Sequence, residues 1–156
     1  MTRYLGVDYG TKRVGLAVGD EPDVLTADGE PIIAPYPLAT VPRSRSLSHD
    51  LAEILRLGGL ENVTAIVVGL PVNADGTHGA SAQAATEFAN ALRKRTDLPV
   101  ELFNEYGTSQ EAESQMLDAD VSRAKRRERV DRLAAANILH GFLRHKHNQT
   151  RKITAS

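Results

Sequence analysis

An alternating segment, a turn and a short apolar run occupy the first twenty positions, and this pattern predicts two strands joined by a tight turn. Leu5 and Val7 share one face of the first strand, and Asp8 lies on the opposite face. The turn-forming residues 10–12 follow, and the apolar run 14–18 begins directly after them. Because the connection is so short, we expect an antiparallel hairpin.

Three more strands are predicted further along the chain. Prolines confine the segment 32–41 to an edge strand or an extended segment. The continuous apolar run within 63–70 is typical of a strand covered on both faces, which favours a central, parallel position. A short strand over 100–103 follows Pro99. With the hairpin, these segments make five strands.

Apolar residues at helical spacing predict helices between and after these strands. The first is expected to begin with Ser48 as its cap and to end at Gly58-Gly59. The other helices span about 80–95, 109–117 and 128–144, with a polar, basic connection over 118–127. The order of the elements predicts an α/β fold in which helices flank a mixed five-stranded sheet.

Length and composition describe one soluble globular domain. The chain has 156 residues, 41% of them apolar and 25% charged. The absence of cysteine excludes disulfide scaffolds, thiol nucleophiles and cysteine-ligated zinc. No apolar run approaches the ~20 residues that span a bilayer, and no signal peptide is visible. We therefore expect a cytoplasmic protein without membrane contact, with a domain over 1–144 and a basic, flexible tail over 145–156.

The charge is divided unevenly along the chain, although the formal net charge is only −1. Residues 1–120 carry a balance of −9 and residues 121–156 a balance of +8. This asymmetry has two interpretations: a basic segment that binds an anionic partner, or a solvated basic helix that offsets an acidic domain. Aromatic residues make up only 4%, so the first interpretation favours backbone recognition of structured nucleic acid over base stacking. The candidate residues for binding the nucleic-acid backbone are Arg123, Lys125, Arg126, Arg127, Arg129 and Arg132.

Three carboxylates occupy positions where a divalent metal site could form. Asp8 ends the first strand, Glu105 follows the strand 100–103, and Asp131 opens the final helix. If the two strands are neighbours, the three groups converge and would bind Mg²⁺ or Mn²⁺ through oxygen alone. Two such ions ~4 Å apart can hydrolyse a phosphodiester. Each residue also has a structural alternative: Asp8 can cap its turn, Glu105 can be a loop carboxylate, and Asp131 can pair with Arg127.

Two glycine-bearing loops near these carboxylates have residues suited to phosphate. Gly10 allows close backbone approach to an anion, Thr11 offers a hydroxyl and Lys12 offers a positive charge. The loop 71–79 supplies amides and Asn73 at a strand end, although it can equally be a plain connection. An ATP-binding hairpin of the actin or sugar-kinase type needs a second lobe, for which 156 residues leave no room.

Three stretches of the sequence carry a resemblance to a known family. They are LGVDYGTKRVGLA over 5–17, VVGLPVNADGT over 67–77, and the residues Val130-Asp131, Ala134-Ala135 and Ile138-Leu139. They resemble the YqgF-type, ribonuclease H-like bacterial family, described both as Holliday junction resolvases and as nucleases that mature the small-subunit ribosomal RNA precursor. The similarity covers about residues 3–143 and implies a ribonuclease H-like fold, a cytoplasmic location and metal ligands at Asp8, Glu105 and Asp131.

The sequence departs from that family at one point near the expected site. The family usually has Asp-Glu-Arg after the strand that ends near residue 103, whereas this chain has Asn104-Glu105-Tyr106. The glutamate is retained, but a neighbouring charge and an arginine that could orient phosphate or glutamate are lost. This departure implies weaker activity or a different choice of substrate.

The resemblance and the carboxylates together predict a metal-dependent nuclease that processes the 5′ end of pre-16S ribosomal RNA. Its expected partners are structured RNA, branched DNA and ribosomal precursor particles, and it is expected to be a monomer or homodimer. One alternative is a Holliday junction resolvase, whose two symmetric cuts require a dimer. The other is a catalytically weakened RNA-binding or ribosome-assembly protein, which the changes at Asn104 and Tyr106 motivate.

Overall fold

The computed structural model describes residues 2–73, 75–104 and 123–155, with the helical backbone alone over 123–132 and 150–155. The five strands are β1 (Arg3–Tyr9), β2 (Arg13–Asp20), β3 (Tyr36–Pro42), β4 (Ala65–Leu70) and β5 (Val100–Asn104). The three helices are α1 (Leu47–Leu60), α2 (Ala80–Arg93) and α3 (Arg123–Ala155). The helix expected over 109–117 lies outside the described residues.

The strands form one mixed sheet in the order β3-β2-β1-β4-β5. β2 is antiparallel to β1 and β3, whereas β1, β4 and β5 are parallel, so the predicted α/β class and the N-terminal hairpin are confirmed. β4 is an interior strand with a parallel neighbour on each side, as its apolar run predicts. The condition under which the three carboxylates are expected to converge, that β1 and β5 are neighbours, is not met, because β4 lies between them. Both strands nevertheless end at the same edge, here named the carboxyl edge, where Tyr9, Pro42, Leu70 and Asn104 lie.

The sheet buries a different set of side chains on each face. On one face Leu5 and Val7 pack with Ile54 of α1 and with Phe88 and Leu92 of α2. This cluster is the larger of the two, and it accounts for the apolar stripes from which both helices are predictable.

α3 covers the other face and approaches β1 closely. Tyr4 and Val67 of the sheet pack there against Leu139 and Phe142. A Cβ atom at Gly6 would lie 2.5 Å from the Cγ of Leu139 and 2.9 Å from the backbone oxygen of Ala135. Only glycine at this position therefore lets α3 rest on β1 at its present distance.

The start of α1 corrects one detail of the predicted helix. The cap is Ser46, whose Oγ accepts a hydrogen bond from the backbone N–H of His49 at 3.2 Å, and not Ser48. Asp50 is buried, and its carboxylate accepts the backbone N–H of Ser44 at 3.0–3.1 Å. The helix begins earlier because these two side chains satisfy N–H groups of the chain around its first turn.

α3 is longer than the apolar pattern predicts. It begins at Arg123, so the connection expected over 118–127 is wrong for residues 123–127, and Asp131 lies two turns into the helix rather than at its start. Arginine, lysine, glutamate and alanine are strong helix formers, but this segment has no apolar stripe before Val130 to signal a helix. The predicted domain boundary at residue 144 falls inside the helix, and the flexibility of 145–156 stays a prediction.

A hydrogen bond between Lys146 and Tyr4 fixes the second half of α3 to the start of β1. The Nζ of Lys146 donates to the Tyr4 hydroxyl at 2.6 Å, and the Tyr4 ring meets Phe142 edge-on at 5.1 Å. This hydrogen bond is the main cause that raises the pKa of Lys146, against a smaller opposing effect of burial. A raised pKa means that the interaction stabilises the fold at neutral pH and is lost in strongly alkaline solution.

We expect Tyr4→Phe to lower the free energy of unfolding by about 1 kcal/mol at neutral pH, because it removes only the hydroxyl acceptor. The matched variant Tyr36→Phe removes an exposed hydroxyl that lies 3.3 Å from Glu61, and it should change stability by less than about 0.5 kcal/mol. Urea unfolding at neutral and alkaline pH measures both variants. Equal effects of the two substitutions at neutral pH would contradict the role of Lys146.

Candidate active site

Asp8 stands at the carboxyl edge, one residue before the end of β1. It pairs with Gly15 of β2 and is half-buried. Side chains alternate along a strand, so Asp8 belongs to the same face as Tyr4 and Gly6, the face that α3 covers. The alternation in the sequence predicts this placement opposite Leu5 and Val7.

α3 runs over β1 in the opposite direction, so residue 131 follows Ala135 toward the carboxyl edge. Lys146 lies over Tyr4, and Ala135 lies over Gly6, so the numbers along α3 fall as β1 approaches the carboxyl edge. Residue 131 precedes Ala135 by one helical turn, about 6 Å along the axis. Asp8 follows Gly6 by two strand residues, about 7 Å. The helical backbone at 131 therefore continues toward the edge where Asp8 lies.

The two other predicted carboxylates are outside what the structure describes. β5 ends at Asn104, paired with Leu70 at the carboxyl edge, and Glu105 and Tyr106 come next in the sequence but are not among the described residues. The side chain of Asp131 is likewise not described. Within the described part of the chain, no group of three histidines or carboxylates is positioned to hold a metal ion. The structure thus places Asp8 directly and gives only the chain positions of the other two.

The turn between β1 and β2 presents the predicted phosphate-binding residues. Thr11 and Lys12 are exposed at its tip. The backbone N–H of Gly10 donates to the backbone oxygen of Arg13 at 3.1 Å, and a Cβ at Gly10 would lie 2.7 Å from that oxygen. Gly10 is therefore required by the closeness of the turn's own backbone, which keeps Thr11 and Lys12 next to Asp8.

Arg43, which the sequence pattern does not single out, braces this turn from the end of β3. Its Nη1 donates to the backbone oxygens of Gly10 and Thr11, both at 3.1 Å. Its guanidinium lies 4.5 Å from the centre of the Tyr9 ring, which is a cation–π contact. No local motif marks such a residue, because its partners are about thirty positions away in the chain.

The loop after β4 brings Asn73 to the carboxyl edge, but its amide is engaged within the loop. The Nδ2 of Asn73 donates to the Thr77 hydroxyl at 3.0 Å, and the Thr77 hydroxyl donates to Asp75 at 2.6 Å. Hydrogen bonds from the hydroxyl and the backbone N–H of Thr77 lower the pKa of Asp75. Gly76, with a φ of 85°, closes the turn. A structural role for Asn73 is thus visible, and contact with nucleic acid stays a prediction.

The predicted basic residues lie in the first turns of α3. The backbone is helical there, and the side chains are outside the description. Their order in the sequence is Arg123, Lys125, Arg126, Arg127, Arg129 and Arg132. Among the described residues no helix is long and apolar enough to cross a membrane.

Comparison with known families decides what kind of protein has this arrangement. The model of the RuvX family, described as "Holliday junction resolvase", matches residues 2–145. The chain belongs to the RuvX family. This membership confirms the family expected from the sequence motifs and the enzyme class, a hydrolase of nucleic-acid phosphodiester bonds.

Relatives of the RuvX protein have similar lengths. A protein of Anaeromyxobacter sp. is 44% identical over 93% of this chain and 98% of its own length. One of Myxococcus xanthus is 41% identical over 90% of this chain and 87% of its own length. Both are named "Putative pre-16S rRNA nuclease".

Solved structures support the fold of the RuvX protein. Thermus thermophilus RuvC in complex with a Holliday junction substrate is similar with a TM-score of 0.54 and 16% identity. The similarity covers 94% of this chain and 97% of that chain. At this identity the likeness shows the fold alone, and it confirms the predicted ribonuclease H-like class.

Proposed function

We propose that this RuvX protein is a metal-dependent nuclease that processes the 5′ end of pre-16S ribosomal RNA. One observation carries the proposal: Asp8 lies at the carboxyl edge, on the sheet face that α3 covers, and β5, which leads to residue 105, ends at the same edge with β4 between the two strands. Ligands of α/β sheets gather at such edges. Asp8, Glu105 and Asp131 are our proposed catalytic residues.

The donor atoms fit a hard divalent cation. The proposed ligands are carboxylates, the chain contains no cysteine, and Asp8 is half-buried where a β-strand fixes its backbone. Oxygen ligands of this kind suit Mg²⁺ or Mn²⁺. When bound, such ions lower the pKa of a water and stabilise negative charge on the leaving oxygen.

The chain's own residues would hold and orient the substrate. Asp8 would hold the cation next to the scissile phosphate with its carboxylate. Lys12 and Thr11, on the braced turn beside Asp8, are placed to contact that phosphate or the next one. The arginines and lysine at 123–127 would follow the backbone of the nucleic acid, as would Asn73 at the neighbouring loop.

The names of the curated relatives support ribosomal RNA as the substrate. Ribosomal precursor particles in the cytoplasm are our proposed setting for this activity. The family description and the likeness to a junction-bound RuvC support a second candidate, resolution of Holliday junctions. That candidate requires a homodimer, whereas RNA processing is compatible with a monomer. Asn104, which replaces the family's aspartate, motivates the third candidate, a binding protein without turnover.

A cleavage assay on two labelled substrates separates these functions. Precursor 16S RNA and a four-way DNA junction are each incubated with Mg²⁺ or Mn²⁺, or with EDTA. We expect cleavage of the RNA with metal, none with EDTA, and recovery when excess metal is restored.

Each other outcome has a definite meaning. Cleavage that continues undiminished in EDTA would exclude the metal mechanism. Cleavage of the junction alone, by a dimer, would establish the resolvase. Tight RNA binding without cleavage under any metal condition would establish the binding protein.

A further inference from the structure

Positive charge is concentrated at the carboxyl edge within an otherwise acidic part of the chain. Residues 1–120 contain nine lysines and arginines against eighteen acidic residues. Four of the nine belong to the β1–β2 turn, to the first position of β2 and to the segment that directly follows β3. These four are Lys12, Arg13, Arg43 and Arg45. A local excess of cations beside Asp8 favours contact with an anionic polymer.

Arg43 has the most constrained geometry of the four. Its guanidinium stacks 4.5 Å from the Tyr9 ring centre, and Tyr9 in turn stacks on the buried ring of Phe88 at 4.2 Å with an interplanar angle of 17°. Its Nη1 bonds to the oxygens of Gly10 and Thr11 fix the remaining rotation. The stacked rings of Phe88 and Tyr9, together with the two hydrogen bonds, therefore hold the Arg43 side chain in one orientation.

The backbone that carries Arg43 is fixed as well. Its N–H donates to the backbone oxygen of Lys12 at 2.9 Å. On the other side, the N–H of Ser44 donates to both carboxylate oxygens of Asp50, and the Ser44 hydroxyl donates to the oxygen of Ser46 at 3.0 Å. Asp50 is only 4% exposed, so this anchor is protected from water. A side chain on such a support loses little entropy when it binds a ligand.

The guanidinium of Arg43 keeps donors available for a ligand. Arginine has five N–H donors, and in the described part of the chain only those of Nη1 are engaged. No carboxylate among the described residues forms an ion pair with it, and the residue is exposed. An oriented guanidinium with free N–H groups matches the oxygens of a phosphate in a two-bond arrangement that lysine cannot make.

We propose that Arg43 binds a phosphate of the nucleic-acid backbone at the β3 side of the carboxyl edge, with Lys12 beside it. This inference rests on the proposed function, since it assigns a further contact to the same substrate. Tyr9 lies on the opposite face of β1 from Asp8, so the phosphate bound by Arg43 is a neighbour of the scissile one. Arg43 therefore contributes to substrate affinity rather than to the chemical step.

The test measures binding without metal, so that it does not depend on cleavage. Fluorescence anisotropy with a labelled precursor-rRNA fragment, in EDTA and over a series of salt concentrations, compares the wild type with Arg43→Lys and Arg43→Ala. We expect the Kd of Arg43→Lys to be about tenfold higher than that of the wild type, because lysine keeps the charge but loses the paired N–H donors of the guanidinium. Arg43→Ala should also reduce the slope of log K against log salt by about 0.7–0.9, as for one lost phosphate contact.

The matched control is Arg56→Lys, in an exposed residue of α1 that pairs with Glu53 within the helix and lies away from the turn. It should bind RNA like the wild type. In the cleavage assay Arg43→Lys should raise KM and largely keep kcat, because the affected phosphate is not the reacting one.

A merely structural brace gives a different result. If both Arg43 variants bind RNA like the wild type while their melting temperatures fall, the proposal is wrong and Arg43 only supports the turn. Should Arg43→Ala fail to fold, the binding of Arg43→Lys decides the matter. The proposed nuclease function fails by a different measurement. If it is wrong, the wild type shows no metal-dependent cleavage, whatever the RNA affinities of the Arg43 variants are.

Discussion

Asp8→Asn is expected to lose cleavage by about a thousandfold or more while keeping the fold. The substitution preserves the size of the side chain and removes its negative charge. A metal site supplies several kcal/mol of transition-state stabilisation, and each 1.36 kcal/mol corresponds to a factor of ten in rate. Asp8 is half-buried and fixed by β1, and the described residues contain no group of three histidines or carboxylates that could form a replacement metal site. Single-turnover cleavage and circular dichroism measure activity and fold.

Asp20→Asn provides a matched control in the same hairpin. Asp20 ends β2 at the opposite edge of the sheet, where its carboxylate pairs with Arg3 at 2.8 Å. The pair is exposed, so its loss should cost well under 1 kcal/mol and leave cleavage near the wild-type rate. Asp8→Asn activity within tenfold of the Asp20→Asn activity would show that Asp8 is not a metal ligand.

The sequence predicts the local elements of this fold because each has its own periodicity. Alternation over residues 4–8, the turn that follows and the apolar run 14–18 predict the hairpin, and the uninterrupted apolar run before Leu70 predicts an interior strand. Strand order is different, because it depends on how helices pack across the sheet. This is why β4 separates β1 from β5, although the convergence of their ends at one edge follows from parallel pairing alone.

The N-terminal half of α3 shows a second limit. Its first turns are rich in arginine and helix-forming residues but have no apolar stripe, so a pattern based on burial starts the helix too late. Arg43 shows a third limit, because its role depends on partners brought together only by the sheet. The position of Asp8 at the edge of the sheet was predictable, because a strand end and a turn flank it in the sequence itself. Its relation to Glu105 and Asp131 stays a prediction.

Gly6→Ala tests the register of α3 on β1, on which the relation between residues 8 and 131 depends. The added Cβ would lie 2.9 Å from the oxygen of Ala135, which is backbone and can give way only if the helix moves. Overpacking of this kind costs about 1–3 kcal/mol of stability. A helix displaced by about 1 Å also misplaces residue 131, and such a shift lowers catalysis by about a hundredfold. We therefore expect the cleavage rate of Gly6→Ala to fall by more than its loss of stability alone would cause.

Two further variants make the result specific to this contact. Gly59→Ala adds the same methyl group in α1, where nothing lies within 4 Å, so it should be neutral or stabilise the protein by up to about 1 kcal/mol. Leu139→Ala removes the nearest side-chain atoms but leaves the Ala135 oxygen in place, so Gly6→Ala should cost less stability in the Leu139→Ala background than in the wild type, without becoming neutral. Wild-type stability and activity in Gly6→Ala would mean that α3 does not rest on β1 at this distance. The packing of α3 would then no longer place residue 131 near Asp8, because that placement depends on the contact at Gly6.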